Sequence, residues 1–292
     1  MNIVVTGASG ALGRLVAEEL LDRLTPDEIV LVTRRPENLR EFQARGAEVR
    51  YGDFDDPATL AAAFTGGERL LLISTDAIGR RVPQHGAAID AAIAAGVERV
   101  VFTSHVNPIF ENPVGPVAHE AGETEELLHE ADIDWTVLRF GSFAELQLSP
   151  AILAVQAGRL GTNCGRGRIV PVSRRDCADA AATVLTTDGH GQATYEITGP
   201  EGLTSADLAA LFAELSGRTV RPTDIGDRTL GWMLTRFGTP KPVAQAIVNF
   251  GRAIREGYFD VIDPAFEQLC GRPPVPLRDV LAPVQAELTE AA

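Results

Sequence analysis

The chain has 292 residues, of which 45% are hydrophobic and 23% charged, which is ordinary for a globular protein with one large α/β unit or two smaller domains. Its formal net charge of −14 at pH 7 argues against nucleic acid and anionic membranes as partners. No apolar run approaches the roughly 20 residues of a membrane span, and the first residues read as a strand rather than a signal peptide, so we expect a cytoplasmic protein.

The first half of the sequence alternates between short apolar segments typical of buried strands and segments with apolar residues at helical spacing. Six strands are predicted, at NIVVTG, EIVLVTR, AEVRYGDF, ERLLLIST, RVVFTSH and DWTVLRFG. Strands that alternate with helices imply parallel strands joined by right-handed crossovers. The predicted fold class is therefore α/β, with a Rossmann-type doubly wound parallel sheet.

The alternation loosens after Gly141. Helices are predicted at SPAILAVQAG, RRDCADAAATVL and SADLAALFAELSG, the last with Thr204 or Ser205 as N-cap, and ATYEITG reads as one more strand. We expect residues 1–145 to form the Rossmann domain, which the strand near 192–198 joins. Residues 146–292 would form a smaller, discontinuous C-terminal domain over the sheet edge where such folds bind ligands.

The segment TGASGALG lies between the first predicted strand and the first predicted helix. Its glycines permit a tight turn (Gly7), a close approach of the backbone to a diphosphate (Gly10) and packing of the helix on the strand (Gly13). The start of the helix then offers N–H groups to the anion. We interpret the loop as a dinucleotide-binding site that also includes Ala8, Ser9, Ala11 and Leu12; the alternative is a glycine-rich turn without a ligand.

The end of the second strand indicates which dinucleotide is bound. A carboxylate at this place suits a free ribose 2′-hydroxyl, whereas arginine suits a 2′-phosphate. The sequence has Arg34 and Arg35 there, with no acid until Glu37. The prediction is NADP(H) rather than NAD(H), and the alternative is that both arginines are solvated turn residues.

Further cofactor-binding residues are expected where the later strands end. Asp53 would accept a hydrogen bond from the adenine amine, and Ser74 and Thr75 would lie near the ribose on the nicotinamide side. The same set includes Phe54, Thr103, Phe140, Gly141 and Ser142. Small polar residues often end strands, and aromatic residues often pack in cores, so both alternatives remain open.

With these motifs, the chain resembles the atypical short-chain dehydrogenase/reductases of the NmrA-like group, and among them the NAD(P)H-dependent quinone oxidoreductases. The resemblance rests on TGASGALG, LVTRRPENL, YGDFDDPATL, VVFTSH, DWTVLRFGSF, DCADAAATVL and GRPPVPLRDVL. It implies a cofactor cleft between the Rossmann domain and a small C-terminal domain. It also implies hydride transfer to quinone-like acceptors.

The sequence lacks the Tyr-x-x-x-Lys pair with which typical short-chain dehydrogenases reduce carbonyls. Its only lysine is Lys241, and the residues four places after its three tyrosines are aspartate, glycine and isoleucine. The candidates for catalysis are instead Ser104, His105 and His119, with a strand-end hydroxyl, a loop histidine and an exposed helix histidine as the alternatives. Asp176 is expected to cap or anchor a helix.

Two functions are consistent with these residues. The first is an NADPH-dependent oxidoreductase that transfers hydride to a quinone, a related conjugated carbonyl or a polycyclic aromatic substrate. The second is a non-catalytic NADP(H)-binding redox sensor. Neither needs a metal, and the three cysteines are too far apart for a zinc site. A homodimer is possible, although no sequence feature requires one.

Overall fold

A seven-stranded parallel sheet forms the centre of the molecule. The computed structural model describes residues 1–290, and side chains through residue 287. The strands of this sheet are β1 (Ile3–Val5), β2 (Ile29–Thr33), β3 (Glu48–Tyr51), β4 (Arg69–Leu72), β5 (Arg99–His105), β6 (Asp134–Phe140) and β8 (Ala193–Ile197). Their spatial order is β3-β2-β1-β4-β5-β6-β8, and every neighbouring pair is parallel. The order reverses between β1 and β4, which is where such sheets open a ligand crevice.

Helices cover both faces of this sheet. In chain order they are α1 (Ala11–Leu21), α2 (Arg40–Ala44), α3 (Leu60–Phe64), α4 (Arg81–Ala94), α5 (Pro116–Glu130), α6 (Leu148–Ala157), α7 (Arg174–Thr186), α8 (Ser205–Ser216), α9 (Asp227–Arg236), α10 (Lys241–Arg255), α11 (Ala265–Cys270), α12 (Leu277–Leu281) and α13 (Gln285–Glu290). One hydrophobic cluster joins the sheet to α1, α7 and α11, and a second joins its other face to α3, α4 and α5. With both faces covered, the central strands are continuously apolar rather than alternating, as β1 and β2 show.

A third hydrophobic cluster belongs to the C-terminal part of the chain. It contains residues from α6, α8, α10 and α12, and it lies next to the loops that follow β5 and β6. A small parallel pair of strands, β7 (Arg159–Thr162) and β9 (Arg221–Asp224), connects α6 to α8. The sequence did not indicate this pair, because glycine in one strand and proline in the other obscure any strand pattern.

The fold class predicted from the sequence is confirmed, and each of the seven predicted strands is present in the sheet. Thr204 is the N-cap of α8, where its hydroxyl and the Asp207 carboxylate form a capping box. The division of the chain near residue 145 stays a prediction. Within residues 1–290, no helix is long and apolar enough to cross a membrane.

Asp176 anchors the C-terminal segment to α7. Its carboxylate is fully buried, lies 2.8 Å from the Arg272 guanidinium and accepts a 2.8 Å hydrogen bond from the backbone N–H of Val275. Ser173 caps the same helix by accepting from the Asp176 N–H at 2.9 Å. These contacts agree with a structural role for Asp176.

Candidate active site

The loop between β1 and α1 has the geometry of an anion cradle. Gly7 adopts a φ of +60°, in the left-handed region that glycine tolerates, and its carbonyl accepts a 2.9 Å hydrogen bond from the Gly10 N–H. Gly10 is the N-cap of α1 and provides no side-chain cap. The first N–H groups of α1 therefore have no side-chain acceptor, and together with the helix dipole they suit a phosphate.

Glycine is needed at Gly13 and at Gly10 for two different physical reasons. A Cβ at Gly13 would lie 2.4 Å from the Gly7 carbonyl oxygen and 2.7 Å from the Ala8 Cα, so only glycine lets α1 begin so close to the loop. A Cβ at Gly10 would lie 3.2 Å from the same oxygen, and the residue is exposed. Gly10 thus presents bare backbone to solvent. Of the remaining loop residues, Ala8 is buried and Ala11 is exposed, whereas Leu12 packs into the core.

The end of β2 is tied to this loop. The Thr33 hydroxyl lies 2.8 Å from the Ser9 hydroxyl and accepts a 3.1 Å hydrogen bond from the Arg35 N–H. Arg34 and Arg35 are exposed, and neither guanidinium has a hydrogen-bond or ion-pair partner within residues 1–287, whose side chains the structure describes. Two unpaired arginine side chains therefore lie next to the phosphate cradle, where a ribose 2′-phosphate would accept their hydrogen bonds.

Asp53 and Phe54 lie in the loop after β3. The Asp53 carboxylate accepts a 3.0 Å hydrogen bond from the Asp55 N–H, and the Asp53 N–H donates to the Thr59 hydroxyl at 3.0 Å. Phe54 is partly buried against the α3–α4 side of the core. One oxygen of Asp53 is thus used within its own turn, and contact of this residue with adenine stays a prediction.

The segment after β4 is held by three consecutive backbone N–H groups, each of which donates to a side chain of a different element. The Ile73 N–H donates to Thr6 at 3.1 Å, that of Ser74 to Thr103 at 2.9 Å, and that of Thr75 to the His85 Nε2 at 3.1 Å. This segment therefore lies in one fixed position beside the phosphate loop.

At the end of β5, Ser104 belongs to a buried polar network. Its hydroxyl donates to the Glu125 carboxylate at 2.5 Å. Arg139 donates to both oxygens of Glu125, at 2.9 and 2.6 Å, and to Glu196 at 3.1 Å. The two carboxylates raise the pKa of the Arg139 guanidinium, and burial raises the pKa of Glu196. The Ser104 proton is therefore already donated within the protein.

The two histidine candidates have different surroundings. His105 Nδ1 lies 2.6 Å from the Val106 carbonyl, which leaves Nε2 for other contacts, and the ring meets Phe259 edge-on at 5.4 Å. Burial lowers the pKa of His105, so the imidazole is neutral near pH 7. His119 stacks on Phe110 at 4.6 Å, and its Nε2 is buried without a partner among the described residues.

No hydrogen bond joins any two of the three catalytic candidates among the described residues. Ser104 and His105 are neighbours in one strand, so their side chains point to opposite faces of the sheet, and His119 is in the first turn of α5. Their catalytic roles stay predictions. Tyr195 bonds His190 at 2.9 Å and Lys241 begins α10, so neither supplies a Tyr–Lys pair.

The turn after β6 lies at the same edge of the sheet, where the carboxyl ends of the strands meet. The Gly141 N–H donates to Ile197 at 3.0 Å, and the Ser142 carbonyl accepts from Val172 at 2.9 Å. Phe140 is buried beside Phe143, while the Ser142 hydroxyl is buried without a hydrogen-bond partner in the described part of the chain. Such an orphaned hydroxyl suits a ligand contact at this edge.

Sequence reasoning missed several residues that shape the site. Thr6 directly follows β1 and Thr33 ends the neighbouring β2, and each hydroxyl bonds an adjacent loop, as the predicted residue Thr103 does from within β5. A threonine that repeatedly follows an apolar strand is a signal that the sequence offers. The interaction of Glu125 with Arg139 has no such signal. Among the side chains of residues 1–287, no group of histidine, cysteine and acidic residues could hold a metal.

The residues present fit a dinucleotide, and the comparisons with known proteins agree. A family model described as NAD(P)H-binding matches residues 7–188. Quinone oxidoreductase 2 of Escherichia coli (strain K12) is 34% identical over 278 residues, which cover 95% of this chain and 96% of that protein. NAD(P)H azoreductase of Xenophilus azovorans is 28% identical over 271 residues, or 93% of each chain.

Solved structures give the same result. The crystal structure of an NADPH-dependent quinone oxidoreductase from Escherichia coli complexed with NADPH matches with a TM-score of 0.92 and 33% identity, and the match covers 97% of this chain and 99% of that chain. The resemblance to NmrA-like, quinone oxidoreductase-type short-chain dehydrogenase/reductases is thereby confirmed, and the chain belongs to the NAD(P)H-binding family.

Proposed function

We propose that the protein is an NADPH-dependent oxidoreductase that transfers hydride to a quinone or a related conjugated carbonyl. The observation that carries the proposal is the match over nearly the whole chain to an NADPH-bound quinone oxidoreductase, with the phosphate cradle at the start of α1 present here. Bound NADPH would supply a hydride, that is two electrons and one proton, and a quinone acceptor would take one further proton from water or from a protein group to become a hydroquinone. The missing Tyr-x-x-x-Lys pair is consistent with the alternative of a sensor without turnover, but the relatives that match are reductases and do not favour it.

Arg34 and Arg35 support NADPH rather than NADH. Both residues are exposed beside the cradle, and their guanidinium groups have no partner within residues 1–287. Arg14, which lies on the same side, is already bound to Glu41 and to the Asn38 carbonyl. Of these three arginines, Arg34 and Arg35 are therefore the ones available for a 2′-phosphate.

Replacing Arg34 with alanine is expected to weaken NADPH binding by about tenfold or more, because a hydrogen bond to a charged group contributes about 1.5–3 kcal/mol. NADH binding should change little, since NADH lacks the 2′-phosphate. Titration of both cofactors by fluorescence measures the difference. Arg45→Ala removes one exposed charge at the far end of α2 and is the matched control. Equal losses for NADPH and NADH in Arg34→Ala would contradict the phosphate assignment.

The protein's own groups offer positioning and a modest proton source. A quinone is electron-poor, so holding its ring against the nicotinamide provides much of the rate. His119 has a buried Nε2 with no partner among the described residues. The neutral ring of His105 carries its proton on Nδ1, toward the Val106 carbonyl, so its Nε2 can accept a hydrogen bond but supplies no proton. Ser104 donates its proton to Glu125, which makes it the least available of the three. We propose that one of the histidines contacts the acceptor.

The proposal is tested by NADPH oxidation in the presence of a panel of quinones and enones, with NADH in parallel. We expect turnover of at least one quinone, faster with NADPH than with NADH. Tight NADPH binding without turnover of any acceptor would instead favour the redox sensor. No binding of either cofactor would refute both functions.

The proposed setting follows from charge and chemistry. The substrate is a small quinone-like or polycyclic aromatic molecule, and the net charge of −14 disfavours nucleic acid and anionic membranes as partners. A cytoplasmic location fits a cofactor that cells keep in the cytoplasm. A homodimer is a further possibility, which sedimentation of the purified protein measures.

A further inference from the structure

Side chains in the first turns of α4 hold the segment that follows β4 by hydrogen bonds. His85 Nε2 accepts the Thr75 N–H at 3.1 Å, Arg81 Nε donates to the Thr75 carbonyl at 2.6 Å, and the Thr75 hydroxyl donates to the Gln84 side chain at 2.7 Å. All three hydrogen-bonding groups of one residue are thus held by one helix. Thr75 is a predicted cofactor contact, so its position matters for binding.

His85 also connects this set of hydrogen bonds to α5. Because Nε2 accepts a backbone N–H, the proton of the neutral ring is on Nδ1, which donates to the Thr124 hydroxyl at 3.0 Å. The Thr124 hydroxyl in turn donates to the Glu120 carbonyl at 2.7 Å. Glu120 also accepts the Gly79 N–H at 2.8 Å through its carboxylate. One turn of α5 therefore holds both ends of the segment 75–79.

The His85 imidazole is well suited to serve as a permanent hydrogen-bond acceptor for the Thr75 N–H. His85 is completely buried and meets Phe102 edge-on at 5.4 Å. Burial, and secondarily the charge of Arg81, lowers its pKa to about 4. The imidazole consequently stays neutral at physiological pH and keeps the lone pair that the Thr75 N–H needs.

We propose that His85 is a positioning residue for the nicotinamide half of the bound dinucleotide. In this fold each half of the sheet binds one mononucleotide, and Arg34 and Arg35 place the adenosine half on the β1–β3 side. The segment after β4 belongs to the other half. His85 acts on the cofactor only through Thr75, and the inference rests on the proposed contact of the Ser74–Thr75 segment with NADPH.

The test compares two variants that lose the same ring. Asparagine places its amide near the position of Nδ1, whereas glutamine reaches the position of Nε2 and restores an acceptor for the Thr75 N–H. His85→Asn should raise the Kd of NADPH by about tenfold, because a buried unsatisfied donor makes the segment reorder. His85→Gln should recover most of this loss. Adenosine 2′,5′-bisphosphate, which has only the adenosine half, should bind both variants within about twofold of the wild type.

The measurement is titration calorimetry of both ligands, with the melting temperature of each variant. A loss of affinity in His85→Asn that is equal for both ligands, or no loss at all, would overturn the inference. If His85→Asn does not fold, Thr124→Val loosens the same chain of hydrogen bonds from the α5 side, and a smaller loss specific to NADPH is expected. Failure of the wild type to bind NADPH would refute the proposed function instead.

Discussion

Replacement of Gly10 by valine is expected to abolish cofactor binding while leaving the fold nearly unchanged. Gly10 is exposed, and its φ of −77° and ψ of 169° are ordinary for valine. Within the protein the new Cβ meets only the Gly7 carbonyl oxygen, at 3.2 Å. The side chain would therefore occupy the space in front of the first N–H groups of α1, where the diphosphate is expected to bind. Loss of two such charge-assisted hydrogen bonds corresponds to a fall in affinity of at least about 100-fold.

The chain offers a matched control for this change. Gly226 is the N-cap of α9, is exposed, has the same extended backbone conformation and has open space around its Cβ position. Gly226→Val should retain full NADPH affinity, and both variants should melt close to the wild type. If Gly10→Val binds NADPH as the wild type does, the diphosphate is not held at the start of α1. If the melting temperature of Gly10→Val falls steeply, its loss of affinity is explained by a distorted loop rather than by a blocked diphosphate site.

The fold could be predicted because its evidence is local in the sequence. The strand Ile3–Val5 is continuously apolar, and the loop after it has glycine at the one position with positive φ. It also has glycine at Gly13, where a Cβ would lie 2.4 Å from the Gly7 carbonyl oxygen. Each of these requirements involves residues fewer than ten apart. The pair β7–β9 was missed because its partners are far apart in the chain and contain Gly161 and Pro222.

The cofactor side of the site was also largely visible in the sequence. Arg34 and Arg35 could be predicted as cofactor contacts from their position after β2, and the structure adds that neither is paired within residues 1–287. The part played by His85 was not visible, since it depends on which loop the helix α4 reaches. A histidine in a mostly apolar helix gives no indication of that.

The surroundings of Ser104 show why the contacts of the catalytic candidates could not be predicted from the sequence. Ser104, Arg139 and Glu196 lie side by side because β5, β6 and β8 pair in a particular register. In a parallel sheet a shift of one residue would turn each of these side chains to the other face. The sequence places a serine near the end of a strand, but only the packing of α5 against β5 shows that its hydroxyl bonds Glu125.

Replacement of Arg139 by methionine is expected to cause the largest loss of stability. Glu125 is 5% exposed, and Arg139 supplies both of its ionic hydrogen bonds. Methionine keeps most of the aliphatic volume but leaves a buried carboxylate without a counter-ion. Removal of one partner of a buried ion pair typically costs about 3–5 kcal/mol. Urea denaturation of the wild type and the variant measures the change in the free energy of unfolding.

Two comparisons separate this explanation from a general effect of losing an arginine. Arg252 pairs with Glu256 at 2.7 Å on the exposed side of α10, so Arg252→Met should cost less than about 1 kcal/mol. The double variant Arg139→Met, Glu125→Leu removes both charges and should regain much of the lost stability, because the cost lies in the unpaired carboxylate rather than in the absence of the pair. A double variant no more stable than Arg139→Met would mean that the ion pair itself, together with the bonds to Ser104 and Glu196, stabilises the ends of the three strands.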